Sequence, residues 1–244
     1  MKITVLTLFP EMVAELCRHS MIGRSYQKGL FAMELIDIRD FAANKHGQAD
    51  DYLYGGGAGM LLKPDVVGPA LKSVQTEVSH TVYLTPQGKT FDQSMATRLA
   101  KENHLVLLSG HYEGIDQRAV NLVDEEISIG DYILTGGEIP ALVIMDAVVR
   151  LLPGVLGDAQ SAAEESFEQG LLEYPQYTRP VVWNEAEVPA VLLSGHHEKI
   201  RRWRKYQSLL QTLLKRPDLL LTRDFDEEER QLLEEILFKK REEE

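Results

Sequence analysis

The chain has 244 residues, of which 44% are hydrophobic, and this suits one large domain or two modest ones with a sizeable core. No apolar run reaches the ~18 residues of a membrane-spanning helix, and Cys17, the one cysteine, excludes a disulfide framework or a cysteine-based zinc site within one chain. The net charge of −12 argues weakly against a nucleic-acid partner, although a local basic patch matters more than the total.

The first 152 residues alternate short apolar or β-branched segments with helix-like segments. The chain begins with a short apolar run that ends at Pro10, so we expect a strand there rather than a signal peptide, and a reducing cytoplasm as the compartment. The predicted strands are residues 2–8, 31–38, 81–85, 105–109 and 126–129. The predicted helices are residues 11–18, 64–74, 93–102, 117–122 and 141–152. This alternation predicts an α/β domain with a parallel sheet.

Residues 157–173 interrupt the alternation with small and acidic residues, which predicts a mobile interdomain linker. Beyond Tyr174, residues 199–215 and 227–240 predict two helices, separated at Arg216-Pro217. The sequence therefore predicts an α/β domain over residues 1–156, the linker over 157–173, and a small, mainly helical domain over 174–244.

Glycine-containing loops follow three of the predicted strands, at residues 84–88, 110–114 and 129–137. In open α/β sheets, ligands bind beyond the carboxyl ends of the strands, and glycine lets backbone approach a ligand closely. The loops therefore predict one crevice that reads a flat heteroaromatic ring through backbone groups. A dinucleotide Gly-x-Gly-x-x-Gly pattern is absent, and Tyr83 stands where a phosphate-binding loop needs its first glycine.

A fourth glycine-rich segment, residues 55–59, is flanked by Tyr52 and Tyr54. It suits either the tip of a hairpin or a loop that approaches a nucleotide base, on which the tyrosines would stack. Arg150 ends an apolar helix, where a cation either complements the helix dipole or faces the crevice. Glu113 and Asp116 suit either a helix N-terminus or the crevice.

The segment 199–206 is strongly basic and contains two aromatic residues. Helical spacing places Arg201, Arg204 and Lys205 on one face, while Trp203 is expected to point into the core. The basic face either contacts phosphates or balances the acidic C-terminal segment as solvated surface. The adjacent His196 and His197 do not by themselves make a metal site.

Taken together, residues 54–60, 109–116, 128–138 and 177–180 resemble the bacterial tRNA (guanine-N1)-methyltransferases of the SPOUT class. The resemblance runs from Lys2 to about Pro217. It implies methyl transfer from S-adenosyl-L-methionine to N1 of guanosine 37 in tRNA, next to the anticodon. It also implies a trefoil knot at the C-terminal end of the α/β domain, and a homodimer whose active sites combine residues of both chains.

Matched to the family's sequence pattern, the chain offers a complete set of candidate site residues. The resemblance implies a cofactor site formed by Tyr83, Leu84, Pro86, Gly110, Glu113, Ile129, Gly130, Asp131, Tyr132, Ile133, Leu134, Gly136 and Gly137. The expected tRNA contacts are Gly55, Gly57, Arg201, Arg204 and Lys205. No protein metal-ligand set is predicted, although a divalent ion such as Mg²⁺ is a candidate second cofactor.

Two residues are the expected catalytic groups. Arg150 matches the family's catalytic arginine, and Glu165 stands in Glu-Ser-Phe where the family has an aspartate as general base; the neighbouring Glu164 is the fallback. A base must remove the proton of guanine N1, and a cation would stabilise the charge that develops on O6. The longer Glu165 side chain leaves open a non-catalytic tRNA-binding homologue of the same fold. An unrelated small-molecule α/β enzyme is the third hypothesis.

Overall fold

The computed structural model describes residues 1–156 and 165–243, and the chain divides into two compact units, Met1–Gly157 and Asp158–Glu244. The strands of the first unit are β1 Lys2–Thr7, β2 Ala32–Asp37, β3 Asp50–Tyr52, β4 Met60–Leu62, β5 Ser79–Thr90, β6 His104–Ser109 and β7 Glu125–Ser128. Its helices are α1 Pro10–Leu16, α2 Ser20–Gln27, α3 Pro64–Val74, α4 Gln93–Leu99, α5 Gln117–Val120 and α6 Glu138–Val149, with a 3₁₀ turn at Ile38–Phe41.

A five-stranded sheet of order β2-β1-β6-β5-β7 forms the centre of the first unit, and every pairing in it is parallel. The central strand β6 is buried on both faces: Leu105 and Leu107 pack into one hydrophobic core, while Val106 and Leu108 pack into the other. Side chains alternate between the faces of a strand, so a continuous apolar run is what a sheet covered on both sides requires. The predicted parallel α/β architecture is confirmed.

Strand β5 is longer than the predicted segment 81–85 because its chain bulges out and then rejoins the sheet. Ile127 of β7 lies opposite both Leu84 and Lys89, so residues 85–88 project beyond the pairing. Pro86 has no N–H to donate to the ladder. A Cβ at Gly88 would lie only 2.6 Å from the carbonyl oxygen of Glu126, so glycine permits the bulge to lie against β7.

The sequence did not predict helix α2 or the short strands β3 and β4, although a hairpin tip was one of the two alternatives for residues 55–59, and the predicted start of α6 was three residues too late. Pro140 suggested a boundary, yet it lies in the first turn of α6, where its missing N–H would have no helical partner in any case. The hairpin strands have only three residues each, too few for an alternating pattern to be recognised.

The second unit has a short β8–β9 pair, Val182–Trp183 and Ala186–Glu187, followed by helices. The long helices are His197–Lys215, here called the basic helix, and Glu227–Glu243, here called the acidic helix; Ala190–Leu193 and a 3₁₀ turn at Pro217–Thr222 are shorter. The buried core contains Leu171, Leu209, Leu232 and Ile236.

The predicted linker, residues 157–173, is not uniform in the structure. Residues 157–164 lie outside the described part of the chain. Leu171 is buried in the core of the second unit, and the N–H of Leu172 donates to Thr212 Oγ1 at 2.9 Å. Residues 165–173 therefore pack with the second unit, because a leucine pair in the acidic segment supplies the apolar contact that composition alone obscured. Among the described residues, no helix is long and apolar enough to cross a membrane.

Candidate functional site

A cleft of about 390 Å³ opens beyond the carboxyl ends of β5, β6 and β7. Its walls come from the β5 bulge, the loop after β6 and the loop between β7 and α6, the three loops that the sequence singled out. Among the predicted cofactor residues, those that line the cleft are Tyr83, Leu84, Pro86, Gly110, Glu113, Ile129, Gly130, Tyr132, Ile133, Leu134, Gly136 and Gly137. The exception is Asp131, an exposed residue that does not contribute to the cleft wall.

Backbone contact joins two of these loops. The N–H of Gly137 donates to the carbonyl of Gly110 at 2.8 Å, and His111 and Gly136 form an antiparallel bridge. A Cβ at Gly137 would lie 2.7 Å from Ser109 Cα and 2.9 Å from the Gly110 nitrogen. Such distances are shorter than any real contact, so the loops meet only because residue 137 has no side chain.

The loop after β7 turns sharply at Gly130, whose φ of +144° is a conformation that glycine adopts without strain. The N–H of Tyr132 donates to the Gly130 carbonyl at 2.9 Å, and the Tyr132 hydroxyl donates to the Ile129 carbonyl at 3.2 Å. The turn leaves Ile133 80% exposed beside the cleft. An apolar side chain held open in this way suits contact with a bound molecule.

Tyr83 and Glu113 give the cleft its chemical character. The ring of Tyr83 is buried against Gly110, and burial raises the pKa of its phenol above the ordinary value, so the group stays neutral. Two carboxylates, Glu113 and Glu126, line the same cleft. The cleft therefore combines an apolar wall with negative charge, which suits a ligand that is partly aromatic and partly cationic.

The β3–β4 hairpin holds one side of the cleft. The N–H of Glu113 donates to the Met60 carbonyl at 3.1 Å, and the N–H of Leu62 donates to the Gly114 carbonyl at 3.0 Å. Gly55 and Gly57 lie at the tip with φ of +86° and +123°, and a Cβ on either would meet nothing within 4 Å. The segment is thus a hairpin tip, and its contact with tRNA stays a prediction.

Asp116 serves as the N-cap of α5 and accepts a hydrogen bond from the Arg118 N–H at 2.9 Å. The Arg118 guanidinium holds the pKa of this carboxyl below its usual range. Capping is therefore the role that the structure gives Asp116, whereas Glu113 lines the cleft.

Beneath the Gly136-Gly137 turn lies a buried polar cluster that the sequence reading missed. Glu138 is only 3% exposed, and Thr7 Oγ1 donates to its Oε1 at 2.7 Å. Ser109 Oγ and His111 Nδ1 are buried without a hydrogen-bond partner among the described residues. Only the pairing of β1 beside β6 brings Thr7 close, and sequence spacing carries no signal for that.

Arg150, one of the two predicted catalytic residues, does not line this cleft. Helix α6 begins beside the cleft, and Arg150 is its C-cap. At 1.5 Å per residue, the helix places Arg150 about 18 Å along its axis from Glu138. Glu165 is half-buried at the start of the described part of the second unit, and Glu164 lies outside the described residues.

The basic helix presents its predicted phosphate-binding face to the acidic helix. Arg201 pairs with Glu198 and Glu228, each at 2.7 Å, and Lys205 Nζ lies 2.8 Å from Asp226. The Arg204 guanidinium lies over the Tyr174 ring, 4.8 Å from its centroid. These contacts agree with the alternative that the basic face balances acidic residues of the C-terminal segment. Its contact with phosphates stays a prediction.

Trp203 does not occupy the core position expected of it. It is half-buried, lines a groove of the second unit, and its ring centroid lies 6.4 Å from that of Tyr177. No group of three or more histidine, cysteine, aspartate or glutamate residues that would hold a metal ion occurs within residues 1–156 and 165–243.

Comparison with known proteins adds to this geometry. Residues 1–222 match the family model described as tRNA (Guanine-1)-methyltransferase TrmD. The chain belongs to the tRNA (guanine-1)-methyltransferase family. This match includes the cleft, the hairpin and the whole basic helix.

Relatives within the tRNA (guanine-1)-methyltransferase family cover nearly the whole chain. A protein of Syntrophomonas wolfei named tRNA (guanine-N(1)-)-methyltransferase is 60% identical over 238 residues, 98% of each chain. Proteins with the same name from Dictyoglomus turgidum and Carboxydothermus hydrogenoformans are 50% and 55% identical, covering 100% and 96% of this chain and 99% and 92% of their own.

Proposed function

We propose that this chain is an enzyme that transfers a methyl group from S-adenosyl-L-methionine to N1 of guanosine 37 in tRNA, next to the anticodon. The observation that carries the proposal is the convergence of three glycine-containing loops on one cleft in a member of this family. Relatives of equal length carry the name of a methyltransferase, so the non-catalytic homologue and the unrelated small-molecule enzyme are not favoured.

The residues of the cleft fit the cofactor. Residues 110–114 and 129–137, except Asp131, line the cleft, so their backbone groups are placed to recognise a heteroaromatic ring, and Glu113 and Glu126 complement a sulfonium and an ammonium group. His111 also lines the cleft, and its buried Nδ1, which has no hydrogen-bond partner among the described residues, supplies a further polar atom. The cofactor supplies an electrophilic methyl group, and the protein's task is to position it for an in-line displacement.

The chemistry requires two further groups. Guanine N1 carries a proton, and we assign its removal to the Glu165 carboxylate, with Glu164 as the fallback. The charge that develops on O6 is then stabilised by the Arg150 guanidinium, and Mg²⁺ is a candidate second cation there. The target base must leave the stacked anticodon loop to reach these groups.

The position of Arg150 supports an active site made by two chains. Its helix carries it about 18 Å from the start of α6, farther than an arginine side chain extends, so a second copy must bring an arginine to each cleft. Helices α1 and α6 expose apolar side chains that a second copy would cover: Met12, Leu16, Ile139 and Val143, each 41–52% exposed. The proposed assembly is a homodimer, and the family's trefoil knot is the proposed topology of residues 79–150.

Nucleoside mapping tests the activity. The purified protein, S-adenosyl-L-methionine with a labelled methyl group and an unmodified tRNA transcript with guanosine at position 37 should yield 1-methylguanosine at that position. A transcript with adenosine at position 37 is the control and should stay unlabelled. Binding of both ligands without methyl transfer would support the non-catalytic homologue instead.

Subunit complementation tests the two-chain site. Gly137→Ala should disable a chain's own cleft, and Arg150→Ala should disable the cleft of its partner. Assayed at a concentration of S-adenosyl-L-methionine below the parent's KM, each variant dimer should be strongly impaired, whereas a mixed dimer retains one intact site and should recover up to half of the parent's activity. No recovery on mixing would place Arg150 in the cleft of its own chain and contradict the proposal.

A further inference from the structure

The basic helix has a second face, distinct from the one on which Arg201 and Lys205 pair with Glu228 and Asp226. Five residues at spacings of three, four, seven and eight share a stripe on it: Lys199, Arg202, Trp203, Tyr206 and Gln207. These positions recur on one side of an α-helix. With Glu235 of the acidic helix, they line a groove of about 420 Å³, a size at which proteins bind small ligands.

The cations of this groove are more available than those of the opposite face. Lys199 is exposed and makes no ion pair with any residue in the described ranges. Arg202 Nη2 lies 3.2 Å from Glu235, but the two side chains are 52% and 37% exposed, and ion pairs of that kind contribute little in water. A phosphate would therefore find a free ammonium and an exchangeable guanidinium side by side, whereas Arg201 and Lys205 are held by several carboxylates.

The wall of the groove is aromatic. Trp203 and Tyr206 follow Lys199 and Arg202 along the stripe, and the Trp203 ring is fixed by its neighbour Tyr177. A flat side chain beside a pair of cations is how proteins take up an unstacked base together with its phosphate. Double-stranded RNA would present only phosphates and sugars, and it has no use for an aromatic wall.

We propose that this groove binds one unpaired nucleotide of the tRNA, with its base stacked on Trp203 and its phosphate held by Lys199 and Arg202. The inference rests on the proposed function for the identity of the RNA. It assigns the RNA contact of the basic helix to the Lys199 side rather than to the predicted Arg201 side.

Two double variants of equal charge change separate the two faces. Lys199→Ala with Arg202→Ala should weaken binding of a tRNA transcript, and it should reduce the slope of log K against log salt concentration by about 1.4, that is ~0.7 for each lost contact to a single strand. Arg201→Ala with Lys205→Ala serves as the comparison and should change the slope by much less, because those cations are already neutralised. An equal or larger loss of slope in the comparison variant would overturn the proposal.

Variants at Trp203 test the stacked base. Trp203→Leu should weaken tRNA binding about 5- to 150-fold, the equivalent of ~1–3 kcal/mol, whereas Trp203→Phe keeps an aromatic ring and should restore most of the affinity. In a Trp183→Phe background, Trp203 is the remaining tryptophan, and its fluorescence should change on addition of tRNA. Unchanged fluorescence at saturating tRNA would refute a base at this position.

Methyl transfer distinguishes a failure here from a failure of the proposed function. The variant that lacks Lys199 and Arg202 should raise the KM for tRNA while kcat and the affinity for S-adenosyl-L-methionine stay near those of the parent. If the parent methylates tRNA and this variant has an unchanged KM for tRNA, the proposed groove is wrong and the proposed function still stands. If the parent binds no tRNA, both the proposed groove and the proposed function are wrong.

Discussion

Gly137→Ala should separate the two loops that close the cleft. The added methyl group would lie 2.7 Å from Ser109 Cα and 2.9 Å from the Gly110 nitrogen, and both neighbours are backbone that cannot rotate away. The 2.8 Å hydrogen bond from the Gly137 N–H to the Gly110 carbonyl would have to lengthen. The strain therefore falls on the walls of the cleft rather than on the core.

The size of the effect follows from the cost of overpacking. Forcing one methyl group into a closely packed site costs about 1–3 kcal/mol. If the loops relieve that strain by moving apart, the loss appears in ligand affinity, where ~1.4 kcal/mol corresponds to tenfold. We therefore expect the affinity for S-adenosyl-L-methionine to fall about 5- to 150-fold, with a smaller fall in the free energy of unfolding.

Gly68→Ala is the matched control. Gly68 is also buried and lies within helix α3, but a Cβ there would meet only Leu122 Cδ1, at an ordinary 3.8 Å. Alanine should stabilise that helix by about 0.5–1 kcal/mol and leave cofactor binding unchanged. Calorimetric titration with S-adenosyl-L-methionine measures affinity for both variants, and denaturant unfolding measures their stability. A Gly137→Ala protein that folds and binds the cofactor like the parent would refute the close approach of the two loops as the basis of the site.

Three further predictions concern single residues. Glu165→Gln should lower methyl transfer by ~10²–10⁴ while tRNA and cofactor still bind, and Glu165→Asp should stay active; normal turnover of Glu165→Gln with loss in Glu164→Gln would identify the other carboxylate. Burial alone would raise the pKa of Glu125, but hydrogen bonds from Arg98 and His80 outweigh it and hold the pKa below its ordinary value. The stability from this group is therefore present above its unfolded-state pKa and is lost as pH falls through the folded-state pKa, so Glu125→Gln should cost about 1.5–3 kcal/mol in urea unfolding at pH 7 and progressively less as the pH is lowered through that folded-state pKa. Burial raises the pKa of Cys17 to about 11, so alkylation of the native thiol should be slow and should follow unfolding; rapid labelling of the folded protein would contradict its buried position.

The parts of the fold that the sequence predicted are those in which local chemistry and burial agree. Strand β6 is apolar from Leu105 to Leu108 because both faces of the sheet are covered there, and helix α3 was predicted at its observed bounds because Pro64 starts it. Helix α2 was missed because Gly23 and Ser25 are buried in it, and small residues weaken the apolar periodicity on which such predictions depend.

Within the candidate site, the glycine-containing loops were predicted from the sequence, but the contacts that hold those loops together were not. Gly137 and Gly110 stood out as glycines after strands, yet nothing in the sequence shows that they touch each other. The contact of Thr7 with Glu138 joins positions 131 residues apart and depends on the order of strands in the sheet. Periodicity reports on one element at a time, so interactions that arise from sheet order lie beyond it.

The sequence was equally unable to predict which cations of the basic helix are paired with carboxylates. Spacing correctly indicated that Arg201 and Lys205 share a face, but which face meets solvent depends on where the acidic helix packs. Glu228 of that helix and Asp226, just before it, lie on one side of the basic helix, whereas Lys199 lies on the other. Sequence reasoning can count cations on a face, and only packing decides which of them remain available to a phosphate.

Helix α6 connects these observations to catalysis. Its first turn is tied by Gly137 to the loops of the cleft, and its C-cap, Arg150, is the cation that we propose for the developing charge on O6. The rigidity of a helix fixes those ends about 18 Å apart, so one chain can complete the cofactor cleft but cannot also deliver Arg150 to it. In the homodimer proposed above, cofactor binding should therefore be a property of each first unit, whereas methyl transfer should require the assembled pair, because the helix that builds one chain's cleft would present its arginine to the partner.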